Sequence, residues 1–574
     1  MFGHLLVLIV TQSWSCPANH IHQGCAHRAW FRLFQGECPP PIVTASAADA
    51  IGATASPSSI SAGKVRFETG DAPIARRAFV AEDVISFIIM LVASVLLDAG
   101  VRPHPARYRR LPGLVLHLLT MTAVFGLALA GSGNAPVSAL LAFALLALLV
   151  VASNAKFPML GEPLIFSDLA LLLAVVRHPR FYFTAIPLQQ RWLAAVAATV
   201  AALTLVALFT PAPAPHLFGL LLLLGAGSGV LLLMRGKAFA GLAQRPALEE
   251  DLLRYGLIAT LLLYWQRWRE TAPPVRLSPR QPPPGAAHAG AEPPQLIIAV
   301  QCESFADPVA LTGDPARALP GLDAARAAAW QYGQLEVSGF GAYTMRTEYG
   351  VLFGRTEEAL GFRRYDPFLT AHSETTYAVS AQLQHAGYRC SFVHPHDLRF
   401  YGRDRLMPAI GFDRLIGADD FAPVPDDGGR YVNDRALGAT LSALVDETSG
   451  PAFFYAVTME NHGPWDKNRE PGAAIGLDAY LRHLQSSDAM LSALCERVAL
   501  DARPALLIFF GDHRPSIPGI IEPGGARHTP YVMLRFDGAG NAIPGKGRVD
   551  LSPAELHHAM LGCVWPDAAT ASDI

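Results

Sequence analysis

ALLIFFGDHRPS, residues 505–516, carries six apolar residues into Gly511, Asp512, His513 and Arg514. A short continuous apolar run closed by a glycine fits a strand buried on both faces. Its last residues then place a carboxylate and an imidazole at a sheet edge. Two more runs end in a similar way. QLIIAVQ (295–301) leads to Cys302, Glu303 and Ser304, and AFFYAVTM (452–459) leads to Glu460, Asn461 and His462. Between them lie helical stretches, including AVSAQLQHAG (378–387), DRALGATLSALVDE (434–447) and LDAYLRHLQSSDAMLSALCERV (477–498). Strands alternating with helices predict an α/β domain with a mainly parallel central sheet over 295–574. In such sheets ligands bind beyond the carboxyl ends of the strands. One strand-end carboxylate reads equally as a helix N-cap. Three converging ends supply the oxygen and nitrogen ligands that a magnesium, manganese or zinc ion accepts.

The rest of the chain has another texture. Of 574 residues, 51% are hydrophobic and only 16% charged, a balance that points to a membrane. Residues 1–82 hold one short apolar run, LLVLIV, and otherwise lack the periodicity of a packed fold, so they read as an unstructured extension. A membrane domain follows over 83–268. It has five apolar runs, at 84–97, 114–131, 138–153, 192–209 and 217–234, each near the length that crosses a bilayer. LLRYGLIATLLLYWQRW (252–268) reads as a shorter sixth span. Arg102, Arg107, Arg109, Arg110, Lys156, Arg177, Arg180, Arg191, Arg235 and Lys237 fall in alternate loops, which predicts that those loops are cytoplasmic. A Pro-rich linker over 269–294 separates the two domains. Net charge is −3 with no basic block, which argues against nucleic acid as a partner. The seven cysteines, at 16, 25, 38, 302, 390, 495 and 563, form no CxxC pair.

A metal held by three side chains needs a reacting group beside it. In VSGFGAYTMRTEYGVLFG (337–354), Gly339 and Gly341 precede Thr344, and a helix can begin there. A hydroxyl at a helix N-terminus sits where backbone N–H groups favour negative charge and bind phosphate. Thr347 and Ser304 compete for the nucleophile's place, and a plain N-cap is the alternative for Thr344.

These residues resemble the lipoteichoic acid synthase and phosphoglycerol transferase branch of the alkaline phosphatase and sulfatase superfamily. The likeness spans about 295–535 and rests on ESF after the first strand, GAYTMRTEY, FYGRD (400–404), ENHGPW (460–465) and GDH. It implies that Glu303, Thr344, Asp512 and His513 surround one divalent cation, manganese or magnesium ahead of zinc. It also implies that Thr344 is the nucleophile and that Tyr401, Arg403 and His462 hold the substrate. The expected reaction moves a phosphoglycerol head group from a membrane phospholipid to a cell-envelope glycan or glycolipid through a phospho-threonine. A phosphoethanolamine transferase or an ester hydrolase is the neighbouring alternative, and a non-catalytic membrane scaffold the distant one. Two features depart from the resemblance. Tyr401 stands where the family has Trp, and the family's enzyme domain lies outside the plasma membrane. An external domain would require 252–268 to cross. Sulfatases proper use a modified Cys or Ser in a CxPxR or SxPxR setting, which none of the seven cysteines provides.

Overall fold

The computed structural model describes residues 72–565 apart from 105–108, 170–191, positions scattered between 193 and 205, 277–291, 424–429, 464, 466–475, 518 and 526. Most of the extension 1–82, much of the linker 269–294 and much of the apolar run 192–209 lie outside the described residues. The first described helix, α1 (Ala72–Asp98), takes in the first apolar run.

Among the described residues, three helices are long and apolar enough to cross a membrane: α2 (Leu111–Ser132), α3 (Ala135–Leu160) and α4 (Pro213–Arg235). With α1 they make the chain membrane-associated. Val84, Ile85, Ile88, Ile89 and Val92 on α1, and Leu217, Leu221 and Leu224 on α4, are exposed. An apolar face of that extent belongs against lipid rather than water. Small residues bring two of the helices together. A Cβ on Gly126 would stand 2.6 Å from Leu223 N, and one on Gly219 would stand 2.4 Å from Ala130 N. The α2 and α4 backbones approach this closely because glycine occupies both positions.

The stretch 252–268 differs from the expected single span. It forms the end of α5 (Leu248–Tyr255) and most of α6 (Leu257–Glu270), broken at Gly256 with φ +87°. The break has a partner far off in sequence. Asp98, at the end of α1, accepts a hydrogen bond from Leu257 N at 3.0 Å and pairs with Arg109 at 2.9 Å. It caps α6, and a Cβ on Gly256 would meet its Oδ2 at 2.4 Å.

The catalytic-type domain is built on an eight-stranded sheet in the order β4-β3-β5-β1-β6-β7-β2-β8. The strands are β1 (Leu296–Cys302), β2 (Gln331–Glu336), β3 (Arg389–Val393), β4 (Arg414–Ile416), β5 (Ala452–Val457), β6 (Ala505–Gly511), β7 (His528–Phe536) and β8 (Gly547–Arg548). Only the β6–β7 and β2–β7 pairs are antiparallel. β1 is buried at every position and its side chains alternate. Ile297 and Ala299 enter one core; Leu296, Ile298 and Val300 enter the other. Helices cover both faces, with α7 (Thr344–Phe353) on the first side and α8 (Asp434–Glu447) and α9 (Leu477–Ala499) on the second. Each large apolar side chain buried this way contributes roughly 1.5–3 kcal/mol. A helix-covered, mainly parallel sheet following apolar helices is the fold class expected from sequence.

Hydrogen bonds sort the ends of the helical bundle. Ser132, Thr210 and His216 meet at one end, through Thr210 N to Ser132 O and His216 to Ala130 O. At the other end Arg110 N binds Arg254 O, Asn154 binds Gly100 O, and Gln266 binds Met234 O. The sheet domain joins this second end, where Phe362 and Tyr365 share a core with Leu116, Met234 and Tyr264. The basic residues Arg102, Arg109, Arg110, Lys156 and Arg235 therefore lie at the sheet domain's end. Basic loops in the cytoplasm and a sheet domain outside it cannot both hold. Epitopes inserted after Arg102 and after Asp419 should be accessible from the same side of the membrane, and one after Gly133 from the opposite side. Shared accessibility at Gly133 and Asp419 would overturn this arrangement.

Candidate active site

The register of two neighbouring strands assembles the site. Cys302 on β1 pairs with Gly511 on β6, so Glu303 and Asp512, each the next residue, emerge side by side at the carboxyl edge. Gly511 permits the approach, since a Cβ there would stand 2.0 Å from Phe305 O. Ligand-type atoms of Glu303, Asp512 and His513 all lie within 4.8 Å of one another, and all three residues are buried. His513 Nε2 is 3.1 Å from Glu303 Oε1 and 3.6 Å from Asp512 Oδ2.

Two carboxylates in one desolvated space disfavour each other's charge. Burial and the Glu303 charge push the Asp512 carboxyl up toward neutrality, against the pull of His513. Burial works the same way on Glu303, but the His513 imidazolium outweighs it and holds that carboxyl low. Burial alone would lower the His513 pKa, yet Asp512 and Glu303 raise it above its ordinary value. An imidazolium thus does the neutralising that a divalent cation would do in its place. Asp512 Oδ2, sealed from solvent, has no hydrogen-bond partner among the described residues. That orphaned oxygen and the two-carboxylate, one-imidazole donor set fit a metal site.

Thr344 opens α7 as its first residue, after Tyr343 in the N-cap position. It is partly exposed, and its hydroxyl donates to Glu303 Oε2 at 3.5 Å. The two competitors sit differently. Thr347 is fully buried and donates to the Asp512 carbonyl at 2.7 Å. Ser304 is buried too, with its N–H on Asp512 Oδ1 at 2.8 Å and its hydroxyl on Glu303 Oε1 at 3.0 Å. Ser304, Tyr343 and Tyr401 hold φ of 50°, 80° and 58°. Non-glycine residues in this region cost about 1–3 kcal/mol each and concentrate at functional sites.

The other expected residues are near, but one is already committed. Arg403 is fully buried on a short helix, Arg403–Ala409, and its Nε and Nη2 grip both oxygens of Glu348 on α7. The bidentate edge expected to hold phosphate therefore holds a carboxylate. Nη1 points to His394 Nε2 at 3.4 Å, and the guanidinium faces the Tyr401 ring at 5.1 Å. His462 sets Nδ1 against Gly463 O at 2.8 Å, which makes Nε2 the basic nitrogen of the neutral ring. Burial lowers its pKa, opposed by the nearby Glu303. Residues that sequence reasoning missed continue this wall. His394 and His396 follow β3, and rings link His394 to His396 at 5.7 Å, His396 to Tyr431 at 6.3 Å and Tyr431 to His462 at 5.8 Å. The signal was the HPH triplet after the strand YRCSFV, a fourth strand end with imidazoles.

Residues 295–564 match the sulfatase family model. The capsular polysaccharide biosynthesis protein RkpI of Rhizobium meliloti is 30% identical over 71% of this chain and 79% of its own length. Among solved structures, the phosphoglycerol transferase GacH of Streptococcus pyogenes has a TM-score of 0.39 and 19% identity, covering 48% of this chain and 77% of that one. The lipooligosaccharide phosphoethanolamine transferase EptA of Neisseria meningitidis has a TM-score of 0.49 and 14% identity, covering 84% of this chain and 95% of that one. With the family model met across the sheet domain and a relative aligned over most of both chains, the chain belongs to the sulfatase family.

Proposed function

We propose that the protein is a metal-dependent phosphotransferase of the plasma membrane, passing a phosphoglycerol-type head group from a phospholipid to an envelope polysaccharide or glycolipid. One observation carries the reading. The Thr344 hydroxyl, partly exposed at the start of α7, lies 3.5 Å from Glu303 in the buried carboxylate and imidazole cluster. A threonine hydroxyl is a weak nucleophile and needs such a setting. Glu303, Asp512 and His513, with Thr344 completing the set, would hold manganese or magnesium ahead of zinc. Such an ion, when bound, lowers the pKa of an adjacent hydroxyl and takes up charge on a phosphoryl oxygen.

The chain's own residues supply the remaining steps. Thr344 Oγ1 gives up its proton along its hydrogen bond to Glu303 Oε2 and attacks phosphorus, the bond to the diacylglycerol oxygen breaks, and that oxygen takes up the released proton and leaves as the alcohol. The N-terminal N–H groups of α7 favour the negative phosphoryl oxygens in this position. An acceptor hydroxyl then gives its proton to His462 Nε2 and attacks the same phosphorus, which releases Thr344. Tyr401 and the charge of Arg403 flank the head group. The Arg403 pairing with Glu348 supports a role through positive potential rather than a two-bond grip. The RkpI relative, a capsular polysaccharide biosynthesis protein, favours a polysaccharide acceptor, and an acceptor of that kind favours an extracytoplasmic catalytic domain on the multi-pass membrane anchor.

Thr344→Ala should lower head-group release from phosphatidylglycerol by about a thousandfold or more. Thr347→Ser keeps its hydroxyl bond to Asp512 O and should retain most activity. Mass spectrometry of the wild-type protein given donor and no acceptor should find phosphoglycerol on the peptide containing Thr344. A phosphoethanolamine adduct would replace the donor and keep the nucleophile. An unmodified peptide together with an active Thr344→Ala would overturn the reading. Asp512→Asn should weaken manganese binding, measured by calorimetry, by at least about tenfold, as loss of even an outer-sphere contact can. Undiminished binding would remove the metal assignment.

A further inference from the structure

The loop after α3 reaches the start of the helix that carries Thr344. Leu160, at the end of α3, packs against the sheet domain's core, 3.7 Å from where a Cβ on Gly341 would stand. Glu162 then meets Arg346, two residues beyond Thr344. Two of the three guanidinium nitrogens bind the two oxygens of the carboxylate, Nη1 to Oε1 at 2.9 Å and Nη2 to Oε2 at 3.1 Å. Arg346 is 7% exposed and Glu162 8%.

Tyr343 completes the contact. The Arg346 guanidinium lies 3.7 Å from its ring centroid, and Lys156 from α3 lies 5.5 Å from it. Lys156 is itself fixed by Asp168 and by Pro163 O at 3.1 Å. Tyr343 is the left-handed residue immediately before Thr344, with φ of 80°. A conformation of that kind persists only where its surroundings over-determine it. Here two cations bracket the ring, and Glu162 orients the nearer of them. A two-bond carboxylate and guanidinium pair fixes direction as well as distance. For stability alone, an apolar pair of similar volume would serve as well or better.

We propose that Glu162 is a positioning residue: from the membrane domain, through Arg346 and Tyr343, it sets the position of the Thr344 hydroxyl. This rests on Thr344 being the nucleophile. The membrane domain is then part of the catalytic apparatus as well as an anchor, and the head group is cleaved where the loop after α3 meets the sheet domain.

The test uses the full chain in detergent with phosphatidylglycerol as donor. Glu162→Gln removes the charge and keeps the shape. Glu162→Leu combined with Arg346→Met replaces the pair by apolar side chains and leaves Arg527, a more distant neighbour of Glu162 at 3.9 Å, its exposure to water and its bond to the Ser338 carbonyl. Both should lower kcat by about 10- to 100-fold, the scale of a small misplacement of a reacting group. KM and manganese affinity should stay at wild-type values in both, and so should the thermal unfolding transition of the double variant, whereas Glu162→Gln leaves Arg346 without its charge partner and lowers that transition. Glu250→Gln, which breaks an exposed ion pair with Arg254, should leave turnover unchanged. Wild-type kcat in the folded double variant would overturn the proposal, as would a kcat loss that tracks lost manganese affinity. Failure of both variants to fold would make the contact a structural clamp and overturn it too. If Thr344→Ala stays active in the same assay, the nucleophile assignment fails. An inactive Thr344→Ala beside a fully active double variant removes the Glu162 proposal alone.

Discussion

Everything at the sheet edge follows from placing two carboxylates in one dry space. Glu303 and Asp512 are there because β1 and β6 run parallel in a register that pairs Cys302 with Gly511. Charges this close in a desolvated site need a positive group among them. His513 supplies one as an imidazolium, and a divalent cation would supply a stronger one while returning the imidazole to its neutral, ligating form. The order Gly-Asp-His carries this constraint in three residues. The glycine lets Phe305 O come close, the aspartate faces Glu303, and the histidine reaches both.

The other half of the site is a helix tied down on three sides. Residues 346, 347 and 348 of α7 point three ways: Arg346 to Glu162 of the membrane domain, Thr347 to the Asp512 carbonyl, and Glu348 to Arg403 beyond β3. Met345 through Phe353 are all buried. Removing one partner of a buried ion pair costs about 3–5 kcal/mol. The helix is therefore held by contacts that are costly to break, and the residue it leaves partly exposed, Thr344, carries a hydroxyl that is not tied to a backbone carbonyl as that of Thr347 is. Precision of this kind is what the proposed nucleophile would require, since reactivity falls steeply with misplacement.

Much of this was legible in the chain, because the relevant signals are local. A buried strand announces itself by an unbroken apolar run, and the residue after it has one place to go, so Glu303, Asp512, His513 and His462 could be read directly. Thr344 was legible from the glycines before it. What escaped was pairing. FYGRD suggests an arginine for phosphate, yet nothing within it reveals that Glu348, 55 residues earlier, takes the bidentate edge. The contact between Glu162 and Arg346 spans 184 residues and two domains. The break at Gly256 was hidden in the same way, because 252–268 is apolar enough to continue and the capping Asp98 lies 159 residues from Leu257.

The same distinction bears on the charge count. Counting arginines in loops treats each as a signal to the membrane, whereas Arg109 is built into the fold by Asp98 and the Leu252 carbonyl, and Lys156 by Asp168 and the Pro163 carbonyl. Both cations sit at the end of the bundle that meets the sheet domain, where the fold uses them. Lys156 faces Tyr343, and Arg109 ties the loop after α1 to α5. Arg109 thus holds the membrane domain together, and Lys156 helps to join it to the sheet domain. Cations that the fold itself uses carry less weight in fixing orientation than cations whose only role is to stay on one side of the bilayer.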